Sequence, residues 1–251
     1  MNHLQVIQRE RAASAALFLC ADFISLTNRS NRDSTMMTQT HVLIGLGLFG
    51  RPKEPARNVM AIAGGIVPDA AIYVLYAIEK SRGTPESIIW SDVYYSPFWQ
   101  DAVAWGNSIP LWLCVLAIGI ALAVKAGFKP WPVESKSADS GLSQRAFWPS
   151  LILVFAGSCL AHMACDFPLH VEDAHRHFFP LSSWRFRSLV SYWDPRHFGV
   201  QAAICEAILG IGISIWLWIR FKSIFARVGI ALLVVGYLAI PAWFTAQFLN
   251  Q

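Results

Sequence analysis

Between His162 and His177 the run HMACDFPLHVEDAHRH holds four of the chain's seven histidines, together with Asp166, Glu172 and Asp173. Neutral imidazoles and carboxylates are the donors that zinc and similar divalent ions take. An ion held by such groups turns a water molecule into a nucleophile near neutral pH. His162, Asp166 and His170 recur at four-residue spacing, which places them on one face of a helix. Pro168 removes a backbone donor and predicts a kink or an end there. Asp173, His175 and His177 alternate, so an extended loop would aim all three to one side. A helix would align only Asp173 and His177.

Other ionisable groups stand inside apolar sequence: His41 in THVLIG, Asp69 in GGIVPDA (64–70) and Glu206 in VQAAICEAILG. At membrane depth such residues face a bundle interior or a cavity. The Gly-Gly pair and proline beside Asp69 predict irregular backbone, which a bilayer protein tolerates where it lines a cavity. Glu206 reads as a proton carrier, a ligand or the partner of a buried cation. Asn107 and Ser108 in WGNSIPLW either orient a ligand or cap a helix. The segment PLSSWRFRSLVSYWDPRHFG (180–199) reads as an interfacial lid or an anchoring loop. GLGLFG (45–50) matches GxGxxG, but RPKEP follows it where a nucleotide fold needs a helix. Small residues for close helix packing explain it better. GxSxG, P-loop and HExxH motifs are absent from the sequence.

The elements that must position these groups are membrane helices. The chain is 55% hydrophobic and only 14% charged, where a soluble domain carries about a quarter charged residues. Apolar windows near the roughly 20 residues needed to span a bilayer fall at 58–78, 107–125, 147–169, 198–219 and 224–248, preceded by a shorter piece at 38–50. The pattern predicts an all-α, polytopic transmembrane bundle. It has about five spanning helices and a short N-terminal membrane-embedded helix. One membrane domain covers 37–251, with a His-rich loop at 170–197. Residues 1–36 read as a leader or as an upstream start and are expected to be dispensable; Asp22 interrupts their apolar part. The net charge of +4 is small and dispersed, which argues against nucleic-acid binding. The five cysteines lie in apolar sequence without a CxxC pair and read as buried small hydrophobes, with Cys165 beside Asp166 as a lesser ligand candidate.

The segments 51–57, 125–146 and 220–227 hold ten basic residues, against six in the longer alternating loops 79–106 and 170–197. The positive-inside rule then puts the His-rich loop outside a cell (inner) membrane crossed several times. His41 lies ten residues before Arg51 and Asp69 twelve after Arg57. At ~1.5 Å rise per residue both sit roughly 15–18 Å from the cytoplasmic turn. His162 and Asp166 reach a similar level from the third span.

His41 in THVLIG, Asp69 at the end of the Gly-rich GGIVPDA turn, and HxxxD within HMACDFPLH (162–170) resemble the YdjM-type membrane-bound metal-dependent hydrolases in identity and order. The Pro-Asp and HxxxD elements are also distantly similar to zinc-dependent phospholipase C. The likeness covers roughly residues 37–200. It departs at the family's Arg-Gly…His-Ser element, where GNSIPL keeps Ser108 and lacks the histidine; His170, Asp173, His175 and His177 are candidates to replace it. The resulting expectation is a membrane-embedded hydrolase. His41, Asp69, His162 and Asp166 hold one or two divalent ions, zinc first among them, and His170, Asp173, His175 and His177 extend the site. Asp69, Asp166 or Glu206 acts as general base. A lipid or phosphoester substrate enters from the bilayer. The rival expectations are a metal carrier or sensor using the same ligands, and a structural or partner-binding membrane protein.

Overall fold

Four helical stretches of the computed structural model are long and apolar enough to cross a bilayer: Pro55–Ser81, Pro97–Lys125, Ala146–Asp166 and Gly199–Arg220. The structure describes residues 38–127, 144–191 and 194–249, and every regular element among them is helical. The segment 1–36 and most of the 125–146 connection lie outside those residues. In chain order the helices are α1 (Thr38–Phe49), α2 (Pro55–Ile66), α3 (Ala70–Ser81), α4 (Glu86–Ser91), α5 (Pro97–Gly106), α6 (Ile109–Lys125), α7 (Gln144–Asp166), α8 (Gly199–Arg220) and α9 (Ile224–Leu249). With 26 residues, α9 follows the fifth apolar stretch of the sequence.

The first two crossings are broken helices. Pro68 has no amide hydrogen to continue the ladder of α2, and the chain turns through a 3-10 segment, Val67–Asp69, before α3 starts. The second crossing breaks between α5 and α6. There Ser108 accepts a hydrogen bond from Leu111 N at 3.1 Å, and Pro110 sits in the first turn of α6. The two breaks meet: Asn107 Nδ2 donates to the Pro68 carbonyl at 3.2 Å. A carbonyl within the broken segment thus finds a donor on the neighbouring span.

Below the breaks, α1, α2 and α7 cross at very short range. A Cβ on Gly45 would lie 2.7 Å from the Ala61 carbonyl, and one on Gly64 would lie 2.5 Å from Ser158 Cβ. The GLGLFG motif therefore serves helix packing, with Ser158 Oγ donating to Ala61 O at 2.7 Å across the same crossing. Val42, Leu43, Leu46, Val154 and Leu217 fill the space around it. On α8, Ile204, Ile208, Ile211 and Ile215 face outward at helical spacing. Such a stripe suits lipid and not water.

Three guanidinium contacts close the far end of α1. Arg220 donates to Gly47 O at 3.0 Å and Gly50 O at 2.8 Å, and Arg57 Nε to Phe49 O at 2.5 Å. Carbonyls left over at a helix C-terminus favour cations. The 51–57 turn and the end of α8 thus share one end of the bundle, the grouping that the charge bias predicts.

At the opposite end, α7 stops at Asp166, and the one-face reading of His162, Asp166 and His170 needs correction. The expected span to 169 is cut short by Pro168, and His170 is reached through a turn with Leu169 N donating to Asp166 O at 2.9 Å. The following loop is pinned to the α5–α6 break: Ile109 N donates to His177 O at 2.8 Å and Ser108 Oγ to Phe179 O at 2.5 Å. Arg185 reaches inward to Ala174 O and Gln100 Oε1, and Arg176 pairs with Asp101.

Candidate metal centre

Four side chains from three membrane elements converge above the glycine crossing. His41 comes from α1, Asp69 from the break between α2 and α3, and His162 and Asp166 from the last turns of α7. His41 Nε2 lies 3.0 Å from Asp166 Oδ1, His162 Nε2 3.0 Å from Asp166 Oδ2, and His162 Nε2 3.4 Å from Asp69 Oδ1. A tetrahedral ion with bonds of ~2.0–2.2 Å holds its donors roughly 3.3 Å apart. The observed separations match that spacing.

Hydrogen bonding shows what the site lacks. His162 Nδ1 donates to the Gly65 carbonyl at 2.9 Å, which fixes the tautomer and turns a bare Nε2 toward two carboxylates. His41 Nδ1 and Nε2, His162 Nε2 and Asp166 Oδ1 are buried without a hydrogen-bond partner; they are four of the six such side-chain atoms among the described residues. No Lys or Arg pairs with Asp69 or Asp166 among those residues. Buried polar groups are nearly always satisfied, and this concentration of unbonded buried atoms coincides with a group of residues that could hold a metal ion. The His41 and His162 rings stack with centroids 3.6 Å apart, which holds both planes against the site.

A second group adjoins the first. Asp166, His170 and His175 each present a ligand atom, all within 4.8 Å of one another, as do His41, Asp69 and His162. His170 Nδ1 donates to Asp173 Oδ2 at 2.8 Å, leaving Nε2 turned to Asp166 Oδ1 at 4.0 Å. Asp173 therefore acts as the orienting partner of His170, the arrangement common for metal-bound imidazoles. The His175 ring lies 4.5 Å from that of His170 and 5.8 Å from that of His177. Burial, then the neighbouring His170 and His177, push His175 down to about 3, so it stays neutral as a ligand must. Burial opposes protonation of His170 as well, but Asp173 and Asp166 outweigh it and hold this ring above its ordinary value. The same negative field that favours a proton there favours a metal cation.

The structure thus brings His41, Asp69, His162 and Asp166 together and sets His170 and His175 beside them. Asp173 and His177 stand next to the ligand groups and outside them, with His177 Nδ1 donating to Asn107 O at 3.2 Å. Glu206 also lies outside both groups: Thr40 Oγ1 donates to its Oε1, and Tyr237 OH bonds the same Thr40, joining α8 and α9 to α1. Asn107 and Ser108 both cap and brace, through the bonds to Pro68, Leu111 and Phe179. Thr38 and Tyr73 escaped sequence reasoning. Thr38 Oγ1 donates to Asp69 Oδ2 at 2.7 Å and takes a hydrogen bond from Tyr73 OH at 2.5 Å. A hydroxyl near a helix start carries no sequence signal that separates this role from solvation.

The 180–189 part of the loop shows Leu181, Trp184 and Leu189 outward, while its Arg185 faces in. Comparison with protein-family models, curated proteins and solved structures finds no match to this chain. What the chain shows on its own is a helical membrane protein whose buried His/Asp groups can hold a metal ion.

Proposed function

We propose that this chain is a membrane-embedded metal-dependent hydrolase of the kind its motifs resemble, using zinc and acting on a lipid-like or phosphoester substrate in a cell (inner) membrane. The observation that carries the reading is the convergence of His41, Asp69, His162 and Asp166 from three separate elements, with ligand atoms 3.0–3.4 Å apart and His41 Nε2, His162 Nε2 and Asp166 Oδ1 buried without a hydrogen bond. His41, Asp69, His162 and Asp166 would hold a divalent ion there, which would supply Lewis acidity and lower the pKa of a bound water toward ~7.

The residues divide the remaining work. Asp166 is buried with one oxygen at the Nε2 atom of each stacked ring. Asp69 is the least covered of the four, with 13% of its side chain exposed. It is the carboxylate a substrate meets first and the one placed to take a proton. Thr38 occupies Asp69 Oδ2 and leaves Oδ1 directed at the centre. The glycine crossing and its apolar packing seal the bundle below, which supports chemistry over ion conduction.

The test is hydrolysis of bis(p-nitrophenyl) phosphate and of a short-chain phospholipid by detergent-purified, zinc-loaded protein. The expected outcome is turnover that disappears in Asp69→Asn while that variant's helix content is kept. Full metal occupancy with no hydrolysis of phosphoesters, carboxylic esters or amides would contradict the hydrolase reading and favour a carrier or sensor.

A further inference from the structure

We propose that the centre is built for two ions bridged by the Asp166 carboxylate, the first on His41, Asp69 and His162 and the second on His170 and His175. This rests on the metal-site reading above and deepens it. The geometry is that of a shared ligand. Asp166 Oδ2 faces His162 Nε2 at 3.0 Å, while Oδ1 lies between His41 Nε2 at 3.0 Å and His170 Nε2 at 4.0 Å.

One ion does not account for the donors present. A tetrahedral ion is filled by His41, Asp69, His162 and Asp166. His170 and His175 then remain as buried imidazoles aimed at the same carboxylate, with ligand atoms within 4.8 Å of it and of each other. Asp173 and Asn107 hold His170 and His177 by their Nδ1 atoms, so this corner of the loop is oriented in advance. With Asp166 shared, the second ion has three protein donors and an open position, the pattern of a reactive site.

Charge points to the substrate class. Two divalent ions against Asp69, Asp166 and Asp173 leave one net positive charge in a buried site, where an anionic oxygen is the natural complement. Two ions about 3.5–4 Å apart clamp the oxygens of a phosphoryl group. The pair therefore favours a phosphoester over a neutral ester or amide.

The two positions differ in strength. The first is held by three packed helical elements. The second depends on a loop pinned by the bonds from Ile109, Ser108 and Arg185. The second ion therefore binds more weakly and leaves first under chelation.

The test titrates manganese(II) into the detergent-purified, metal-free full chain and reads electron paramagnetic resonance alongside metal per chain. Two ions per chain are expected, with an isolated-ion spectrum at the first equivalent and a spin-coupled spectrum after the second. His175→Ala should stop at one uncoupled ion. A single ion per chain in the parent, or two uncoupled ions, overturns the bridge and leaves the metal-site reading standing. Two ions retained with coupling in His175→Ala overturns the assignment of the second ligand set. No ion at all removes the metal-site reading as well.

Discussion

The two halves of the bundle use the same helices in opposite ways. In the lower half, around Gly45, Gly64 and Ser158, buried polar atoms are satisfied within the protein: Ser158 Oγ by Ala61 O, and the α1 carbonyls by Arg57 and Arg220. One or two turns higher on α1 and α7, four buried polar atoms of His41, His162 and Asp166 make no hydrogen bond, and His41 Nε2, His162 Nε2 and Asp166 Oδ1 face one another or Asp69. The backbone changes with them, from tight unbroken helix to the paired breaks at Pro68 and Asn107. The contrast teaches that polarity at membrane depth is not itself a sign of chemistry. Unsatisfied polarity at ligand spacing is.

Substitutions on the two sides should separate cleanly. The largest effect is expected from His162→Ala, which removes the one imidazole facing both carboxylates; retention of zinc after gel filtration should fall to background by elemental analysis. Asp173→Asn keeps size but weakens the hold on His170. Metal affinity of the loop position should drop 10–100-fold, measured by competition with a chromogenic chelator, with no change in thermal unfolding of the apo-protein. In the lower half, Gly64→Ala drives a methyl into Ser158 and should cost about 1–3 kcal/mol of stability. It should lower the unfolding midpoint in detergent while metal stoichiometry stays at the parent value. Ser158→Ala is the smallest change, roughly 0.6 kcal/mol for one interhelical hydrogen bond. Loss of metal in either lower-half variant would show that the two regions are not independent.

Much of this was legible in the residues. His41, Asp69, His162 and Asp166 stand out because each is ionisable within apolar sequence, and residue counts along the helices put them at one depth. The break at Pro68 was readable from GGIVPDA, whereas Asn107 and Ser108 read only as the outer end of a span. The loop was not. Alternation in Asp173, His175 and His177 suggests a common direction, but without a regular period the roles divide by tertiary contact, with Asp173 on His170 and His177 on Asn107. Glu206 shows the same limit in a helix: a carboxylate in an apolar run reads equally as a proton carrier, a ligand or the partner of a buried cation, and the hydrogen bond from Thr40 is a tertiary contact with no sequence signal. The helix α5 falls within a stretch read as a connection, because Gln100 and Asp101 lower its hydropathy. Both are occupied by arginines of the loop, Arg185 and Arg176.

The most direct measurement of the central claim is the metal content of the Asp166→Asn protein beside the parent. Asparagine keeps the shape at the meeting point of His41, His162 and His170 but removes the charge a cation needs. The parent should carry divalent metal through purification, and Asp166→Asn should carry none while keeping the parent's helix content by circular dichroism. Metal bound as tightly by Asp166→Asn as by the parent would contradict the account.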